Sequence, residues 1–367
     1  MTTRVIAVRS AFPAYRYPQR ELADAVEAVA DAAGGLRHTQ RALLQRLHAN
    51  ADIATRHTVL PIGEYAALAG LPGPGAALAN DRYIAEATAL GERALRFALA
   101  SAGLEPALLD LLIVTSVTGV AVPSLDALLI PRLGLRPDIK RLPVFGLGCV
   151  AGAAGLARLH DYLLAWPGHV AALLSVELCT LTVPRAQVTT ADLVASALFG
   201  DGAAAVVATG EEQAAARPRP ARRLPRVIAT RSEVYPDSTD TLGWRLGADG
   251  FRIVLTAELA EVVERRLNGS VTAFLGEQGL TVDDIGSWIC HPGGPKVLDA
   301  AQRALKLPDS ALAASRRSLS EAGNMSSVSV LHILELTADA GDPEPGSFGL
   351  MIGLGPGVSA ELLLLKW

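Results

Sequence analysis

The sequence predicts an α/β fold with mostly parallel sheets in each of two halves, and three observations carry that prediction. Residues 108–116 and 169–176 are apolar runs without alternation, the pattern of strands buried on both faces, as parallel sheets require. Segments with helical spacing separate such runs in both halves of the chain. Residues 211–225, rich in Ala, Pro and Arg and poor in large apolar side chains, form the one clear break in composition and read as a surface linker. The chain is accordingly divided at 1–220 and 221–367; no repeat between the halves is visible at residue level.

The elements follow in order. Residues 5–8 read as a first strand ending in the loop Phe12-Pro13, followed by helices over 19–32 and 39–48. The stretch from Arg46 to His57 is locally basic, and Arg46 and Arg56 are candidates for gripping the phosphates of a nucleotide-bearing substrate. The plainer reading of any single arginine there is a solvated helix face. A long helix over 81–102 precedes the buried strand 108–116; a loop at 118–123 leads to another helix and to a buried strand at 142–147. Strand 169–176 ends at Glu177, and 193–207 runs from helix through a Gly-Asp-Gly turn into a strand. The second half alternates strands at 227–229, 251–255, 286–290 and 346–353 with helices at 257–278, 295–305 and 326–339.

Composition narrows the function. With 367 residues, half of them hydrophobic and 19% charged, the chain can bury a sizeable core. The 33 Lys and Arg nearly balance the 37 Asp and Glu, which leaves no electrostatic footprint for nucleic acid or an anionic membrane. Cys149, Cys179 and Cys290 are too widely spaced for a disulfide framework or a zinc site and suit a reducing cytoplasm. The N-terminus lacks the apolar core of a signal peptide, and no run reaches the roughly 18 uncharged residues of a membrane span. The expectation is a cytoplasmic protein with no bound metal.

The chemistry centres on Cys149. The turn Gly146-Leu-Gly148 places it between a strand and an Ala-rich helix, where unpaired N–H groups and the helix dipole would lower a thiol pKa. Gly148, Ala151, Gly152 and Ala153 leave room for a carbonyl to approach the sulfur. On this stretch alone a buried, inert cysteine is an equal alternative. Two later loops tip the balance: His291 after an apolar strand and before Pro-Gly-Gly, and Asn324 after Gly323 and ahead of a helix. Alone, the first is usually a structural histidine and the second an N-cap. Together the three residues lie at strand ends, where open α/β sheets place active sites. A thiolate can hold an acyl group, and imidazole and carboxamide N–H groups can bind an enolate or oxyanion. An ion pair with His291 would lower the Cys149 pKa further.

Five segments resemble one family. Gly148-Cys-Val-Ala-Gly152, Ala197-Leu-Phe-Gly-Asp-Gly-Ala-Ala204, His291-Pro-Gly-Gly-Pro295 and Gly323-Asn-Met-Ser-Ser327 match the type III polyketide synthases, the chalcone synthase-like branch of the thiolase superfamily, in order and spacing. Gly353-Leu-Gly-Pro-Gly357 is similar to that family's Gly-Phe-Gly-Pro-Gly signature. The resemblance implies a thiolase-like αβαβα layered fold of two similar halves and a homodimer. It implies no cofactor, with acyl-CoA and malonyl-CoA as substrates. It also implies Cys149 as nucleophile, with His291 and Asn324 binding thioester carbonyls and supporting malonyl decarboxylation. Phe199 falls at a gatekeeper position and Arg46 at a CoA-phosphate position; Val117, Thr118, Cys179, Ser326, Gly355 and Pro356 fall at substrate-binding positions.

Two departures point away from an aromatic starter: Ile253 at a second gatekeeper phenylalanine and Leu354 in the C-terminal signature. The segment from Ser175 to Thr182 resembles bacterial members that extend fatty acyl-CoA into alkylpyrones or alkylresorcinols. Aliphatic walls suit an alkyl chain, each buried methylene being worth about 0.8 kcal/mol. Three alternatives rank lower. A ketoacyl synthase III-like enzyme carries a different motif after the histidine. Hydroxymethylglutaryl-CoA synthase needs a carboxylate base that no motif here places. An inactive acyl-CoA-binding partner has no need of a reactive thiol.

Overall fold

The most apolar runs become the innermost strands of one large sheet in the computed structural model, which describes residues 2–32, 34–69, 75–182, 188–216, 223–247, 250–256, 258–341 and 343–367. The first half comprises β1 (Thr3–Ala11), β2 (Tyr15–Pro18), α1 (Gln19–Ala32), α2 (His38–Ala49), β3 (Thr55–Thr58), α3 (Ile62–Ala69), α4 (Gly75–Ala102), β4 (Leu111–Thr115) and α5 (Leu125–Leu133). It continues with β5 (Lys140–Val144), α6 (Ala151–Ala165), β6 (Val170–Leu178), α7 (Thr190–Leu198), β7 (Asp201–Thr209) and α8 (Glu211–Ala216). The second half holds β8 (Arg226–Val234), β9 (Leu242–Gly247), β10 (Gly250–Leu255), α9 (Leu259–Glu277), β11 (Ile285–Cys290), α10 (Pro295–Leu305), α11 (Ala313–Ala322), α12 (Val328–Ala340), β12 (Phe348–Gly355) and β13 (Ser359–Lys366).

Nine strands form the sheet in the order β11-β12-β13-β8-β1-β7-β6-β4-β5. Strands β6 and β7 are buried along their whole length, which is why their sequences show no alternation. The halves meet where Thr3 and Arg4 of β1 pair with Val227 and Arg226 of β8. Helices α6 and α12 lie between them: Leu156 and Val330 share one core with Leu173 and Val206 of the first half and Met351 and Leu363 of the second. Outside the first half, α4 and α5 pack through Leu95 and Leu129 onto Leu112 and Leu174. Outside the second, α9 and α10 pack through Leu267 and Leu298 onto Leu350. The layers therefore run αβαβα.

Several expectations change. The sheet is mixed: β4 pairs in parallel with β5 and β6, and β11 with β12, whereas the pairs β1–β7, β1–β8, β6–β7, β8–β13 and β12–β13 are antiparallel. The turn from Pro356 to Val358 is too short for a crossover, so β12 and β13 must form a hairpin. The expected buried strand at 142–147 is β5, the outer edge of the sheet, with Leu142 40% and Phe145 58% exposed. A short apolar run cannot by itself tell a central strand from an edge. The expected linker at 211–225 opens with helix α8, and its residues 217–222 lie outside the described ones, as does residue 257 at the start of the expected helix 257–278. Strands β2, β3, β9 and β13 and helices α3 and α11 are additions to the sequence reading.

Candidate active site

A single turn of 3-10 helix, Gly148–Val150, carries Cys149 directly into α6. Gly148 has φ +54, and a Cβ there would stand 2.5 Å from the Pro356 ring. A Cβ on Gly355 would stand 2.8 Å from the Val150 backbone nitrogen. The C-terminal glycine signature is thus laid against the Cys149 turn, and glycine is required on both sides of the contact.

Desolvation dominates the electrostatics. Burial pushes the Cys149 thiol up to about 12; a hydrogen bond from Ser326 pulls it down and the Glu177 charge raises it further. The helix N-terminus does not overcome that burial, so the lowered thiol pKa expected from sequence is corrected to a protonated resting thiol. His291, which follows β11, has its ordinary pKa lowered to about 3 by burial. Its imidazole is neutral at neutral pH, so the expected ion pair with Cys149 is not the resting state. The ring's Nδ1 is buried with no hydrogen-bond partner among the described residues. The backbone N–H of His291 donates to Ile352 O at 2.9 Å, which fixes the loop to β12.

Asn324 is held by a short ladder to the Phe199 segment: its N–H donates to Leu198 O at 2.8 Å, and Gly200 N–H donates to its carbonyl at 3.0 Å. Its Oδ1 accepts from the Ser326 N–H at 2.8 Å, and its amide NH2 donates one hydrogen bond to Gly293 O at 3.3 Å. Gly293 N–H in turn donates to His291 O at 3.1 Å. The His291 and Asn324 loops therefore touch each other, and the next turn of the Asn324 loop delivers Ser326 to Cys149.

Sequence reasoning missed the carboxylate of this site. Glu177 on β6 is fully buried. Its Oε1 accepts from Ser327 Oγ at 2.6 Å and Ser326 Oγ at 3.3 Å; its Oε2 accepts from Thr118 Oγ1 at 3.0 Å, Val117 N–H at 3.1 Å and Ser116 Oγ at 3.4 Å. Burial lifts its pKa to about 7 against those donors. An acid closing an otherwise apolar buried strand was the available signal, because such a charge persists only with partners.

Cys149, Thr118, Cys179, Phe199, Ile253, Ser326 and Pro356 line one small chamber of about 20 Å³, together with Gly148, Leu242, Gly243 and Trp244. A second, apolar cavity of about 110 Å³ lies beyond four of these residues, Cys179, Phe199, Trp244 and Ile253, and is walled by Leu22, Val26, Val29, Leu181 and Leu193. Trp244, absent from the sequence reading, faces Ile253 across the β9–β10 pair. Three predicted positions move. Val117 contributes its backbone N–H to Glu177, and Gly355 packs on Val150; neither is a wall of the chamber. Arg56 is buried and spends its guanidinium on Gln19 Oε1 at 2.9 Å and Phe199 O at 2.6 Å, so it braces the Phe199 loop and is not placed to hold a phosphate. Arg46 stands exposed on α2.

Comparison with known proteins identifies the family. The chalcone and stilbene synthase family matches through its N-terminal domain at residues 2–212 and its C-terminal domain at 226–367. The chain belongs to that family. A 1,3,6,8-tetrahydroxynaphthalene synthase of Streptomyces peucetius subsp. caesius is 52% identical over 365 residues, covering 100% of this chain and 93% of that protein. A phloroglucinol synthase of Pseudomonas fluorescens is 32% identical over 97% of each chain. The crystal structure of the tetrahydroxynaphthalene synthase of Streptomyces coelicolor, a bacterial type III polyketide synthase, superposes with a TM-score of 0.88 at 31% identity over 99% of both chains. This type III polyketide synthase is thus a condensing acyltransferase of thiolase-like fold. Among the described residues, no helix is long and apolar enough to cross a membrane.

Proposed function

We propose that the enzyme condenses malonyl-CoA units iteratively on Cys149, using malonyl-CoA as starter as well as extender, and cyclises the chain to a tetrahydroxynaphthalene-type product. The observation that carries this reading is end-to-end similarity at 52% identity to a tetrahydroxynaphthalene synthase. Cys149 attacks the starter thioester, forming the S–C bond as the C–S bond to CoA breaks. A malonyl-CoA carbonyl then rests against the Asn324 amide and His291. Carbon dioxide departs, leaving an enolate whose charge those N–H groups hold. The enolate carbon attacks the thioester on Cys149, a C–C bond forms, and the sulfur is released for reloading. Neutral donors fit this work, since a lowered His291 pKa keeps the imidazole uncharged. Arg46, exposed on α2, is the proposed CoA-phosphate contact. No cofactor beyond the CoA thioesters is invoked. A homodimer in the cytoplasm completes the proposal, with the exposed edge strand β5 and its Leu142 and Phe145 as support for an interface.

A second reading keeps a fatty acyl-CoA starter and an alkylpyrone or alkylresorcinol product. The apolar cavity next to the Cys149 chamber favours it, because its walls offer an alkyl chain little but carbon. Mass spectrometry of products formed from malonyl-CoA alone, and from malonyl-CoA with acyl-CoAs of graded length, separates the readings. A naphthalene-type product from malonyl-CoA alone supports the first. Products appearing only with a long acyl-CoA would replace it with the second.

A further inference from the structure

We infer that Gln19 and Arg56 are a positioning pair that sets Asn324 through the end of α7, although neither residue lines the Cys149 chamber. The inference rests on the reading of Asn324 as a decarboxylation donor and adds the side chains that hold it in place. Helix α7 ends at Leu198, and its last carbonyls have no partner within the helix. Donors from three other parts of the chain meet this turn. Gln19 Nε2 donates to Ala197 O at 2.8 Å, the Asn324 N–H to Leu198 O at 2.8 Å, and Arg56 Nη1 to Phe199 O at 2.6 Å. Arg56 Nε also donates to Gln19 Oε1 at 2.9 Å. Two donors of one guanidinium therefore converge on the turn, one directly and one through the Gln19 amide. Gly200 N–H donates back to Asn324 O at 3.0 Å, which closes the bridge between Phe199 and Asn324.

The packing points the same way. A Cβ on Gly323, the residue before Asn324, would stand 2.7 Å from Arg56 Cδ, 2.8 Å from its Cγ and 2.9 Å from Leu198 O. Gly323 has φ +73, so glycine is favoured there on both counts. Arg56 thus touches both sides of the Phe199–Asn324 bridge, by a hydrogen bond on one and by its stem on the other. Gln19 and Arg56 are both buried. A guanidinium is costly to bury unless its donors are used, and carbonyls at a helix C-terminus, the negative end of the dipole, suit a cation. The Cys149 turn is braced by other contacts, Gly148 against Pro356 and Gly355 against Val150. The amide donor and the sulfur therefore stand on separate supports, and the pair serves the first.

Because the pair acts through Asn324, the test separates placement of that amide from general packing. Wild type, Gln19→Ala, Arg56→Lys, Arg56→Met and Asn324→Ala are compared by iodoacetamide alkylation of Cys149 and by carbon dioxide release from malonyl-CoA. Arg56→Met keeps an apolar stem and removes every donor. Its kcat and kcat/KM for carbon dioxide release fall together by about tenfold or more, since small displacements of an oriented group are that costly. Alkylation keeps its rate. Gln19→Ala leaves Arg56 on Phe199 O and gives a smaller fall of the same kind; Arg56→Lys recovers part of the loss. In an Asn324→Ala background, Arg56→Met adds little, because the group it places is already gone. Unchanged carbon dioxide release in Gln19→Ala and Arg56→Met overturns the inference. So does a loss that adds in full to that of Asn324→Ala, or a parallel fall of alkylation and release, either of which marks a packing defect. If Arg56→Met does not fold, Gln19→Ala alone and with Asn324→Ala decides by the same criteria. Release that Asn324→Ala leaves untouched overturns the reading of Asn324 itself, a result distinct from the others.

Discussion

The two cavities that share Cys179, Phe199, Trp244 and Ile253 differ in almost every other respect. The small one is lined by the Cys149 thiol and by the hydroxyls of Thr118 and Ser326, both of which are bonded to the buried Glu177 carboxylate. The larger one is lined mainly by apolar side chains, among them Leu22, Val26 and Val29 of α1 and Leu193 of α7. Chemistry needs the first kind of environment, because oriented dipoles stabilise developing charge without reorganising. Selectivity for chain length needs the second, because apolar walls reward each methylene by a fixed increment and no more. On the second reading above, the reaction and the choice of starter would fall to separate residues, with Cys179, Phe199, Trp244 and Ile253 lining both cavities.

Variants can break or sharpen that division. Cys149→Ala should lower product formation about a thousandfold or more with every starter, as loss of a covalent nucleophile does; a starter-dependent loss would merge the two roles. Asn324→Ala should slow malonyl-CoA decarboxylation by about a hundredfold, the typical loss for one oxyanion donor, measured as carbon dioxide release. Trp244→Ala should join the cavities and raise the kcat/KM ratio of octanoyl-CoA over hexanoyl-CoA about tenfold, at about 0.8 kcal/mol for each of two methylenes. An equal change for all donors would show that Trp244 is not part of a length filter.

The smallest effect is on stability. Buried His48, His291 and His332 have pKa values lowered to about 3, 3 and 4, so below pH 6.5 the unfolded chain binds protons that these rings refuse, and stability falls with falling pH. Glu177 and Asp201, raised to about 7 and about 6, work the other way: the native state keeps protons that the unfolded chain has lost, and stability falls as pH rises through that window. The two sets oppose each other between about pH 5 and 6 and the histidines are unopposed below about 4, once both carboxyls are protonated in either state. Because three histidines outnumber two carboxyls, calorimetry should find a Tm that declines gently as pH falls from 6 to 5, at about one proton's slope, and more steeply below about 4. A Tm that falls as steeply from pH 6.5 to 5 as it does below pH 4 would show that Glu177 and Asp201 do not hold their protons.

How far the sequence could be read follows the same division. Elements carried by strong periodicity, such as α1 at Gln19–Ala32 and α10 at Pro295–Leu305, match the sequence reading residue for residue. Cys149 at its helix start was equally legible, since glycines and an Ala-rich run mark that turn locally. What escaped depends on long-range contact. The edge position of β5 is a property of the sheet and not of the run Leu142–Val144. The thiol pKa was misjudged because local dipoles are visible in sequence and desolvation is not. Glu177 gathers its donors from residues 116–118 on one side and 326–327 on the other, a convergence that only folding reveals. Arg56 resembled a surface cation until Gln19 and Phe199 enclosed it.

The glycine contacts around Cys149 set how readily each part of the site can be altered. Pro356 against Gly148, Val150 against Gly355 and the Ser327 carbonyl against Gly152 leave no slack for the backbone that holds the sulfur. Trp244 and Ile253, by contrast, belong to a two-stranded ribbon outside the nine-stranded sheet. Substitutions on that ribbon can therefore reshape the cavities at less structural cost than substitutions in the backbone around the thiol.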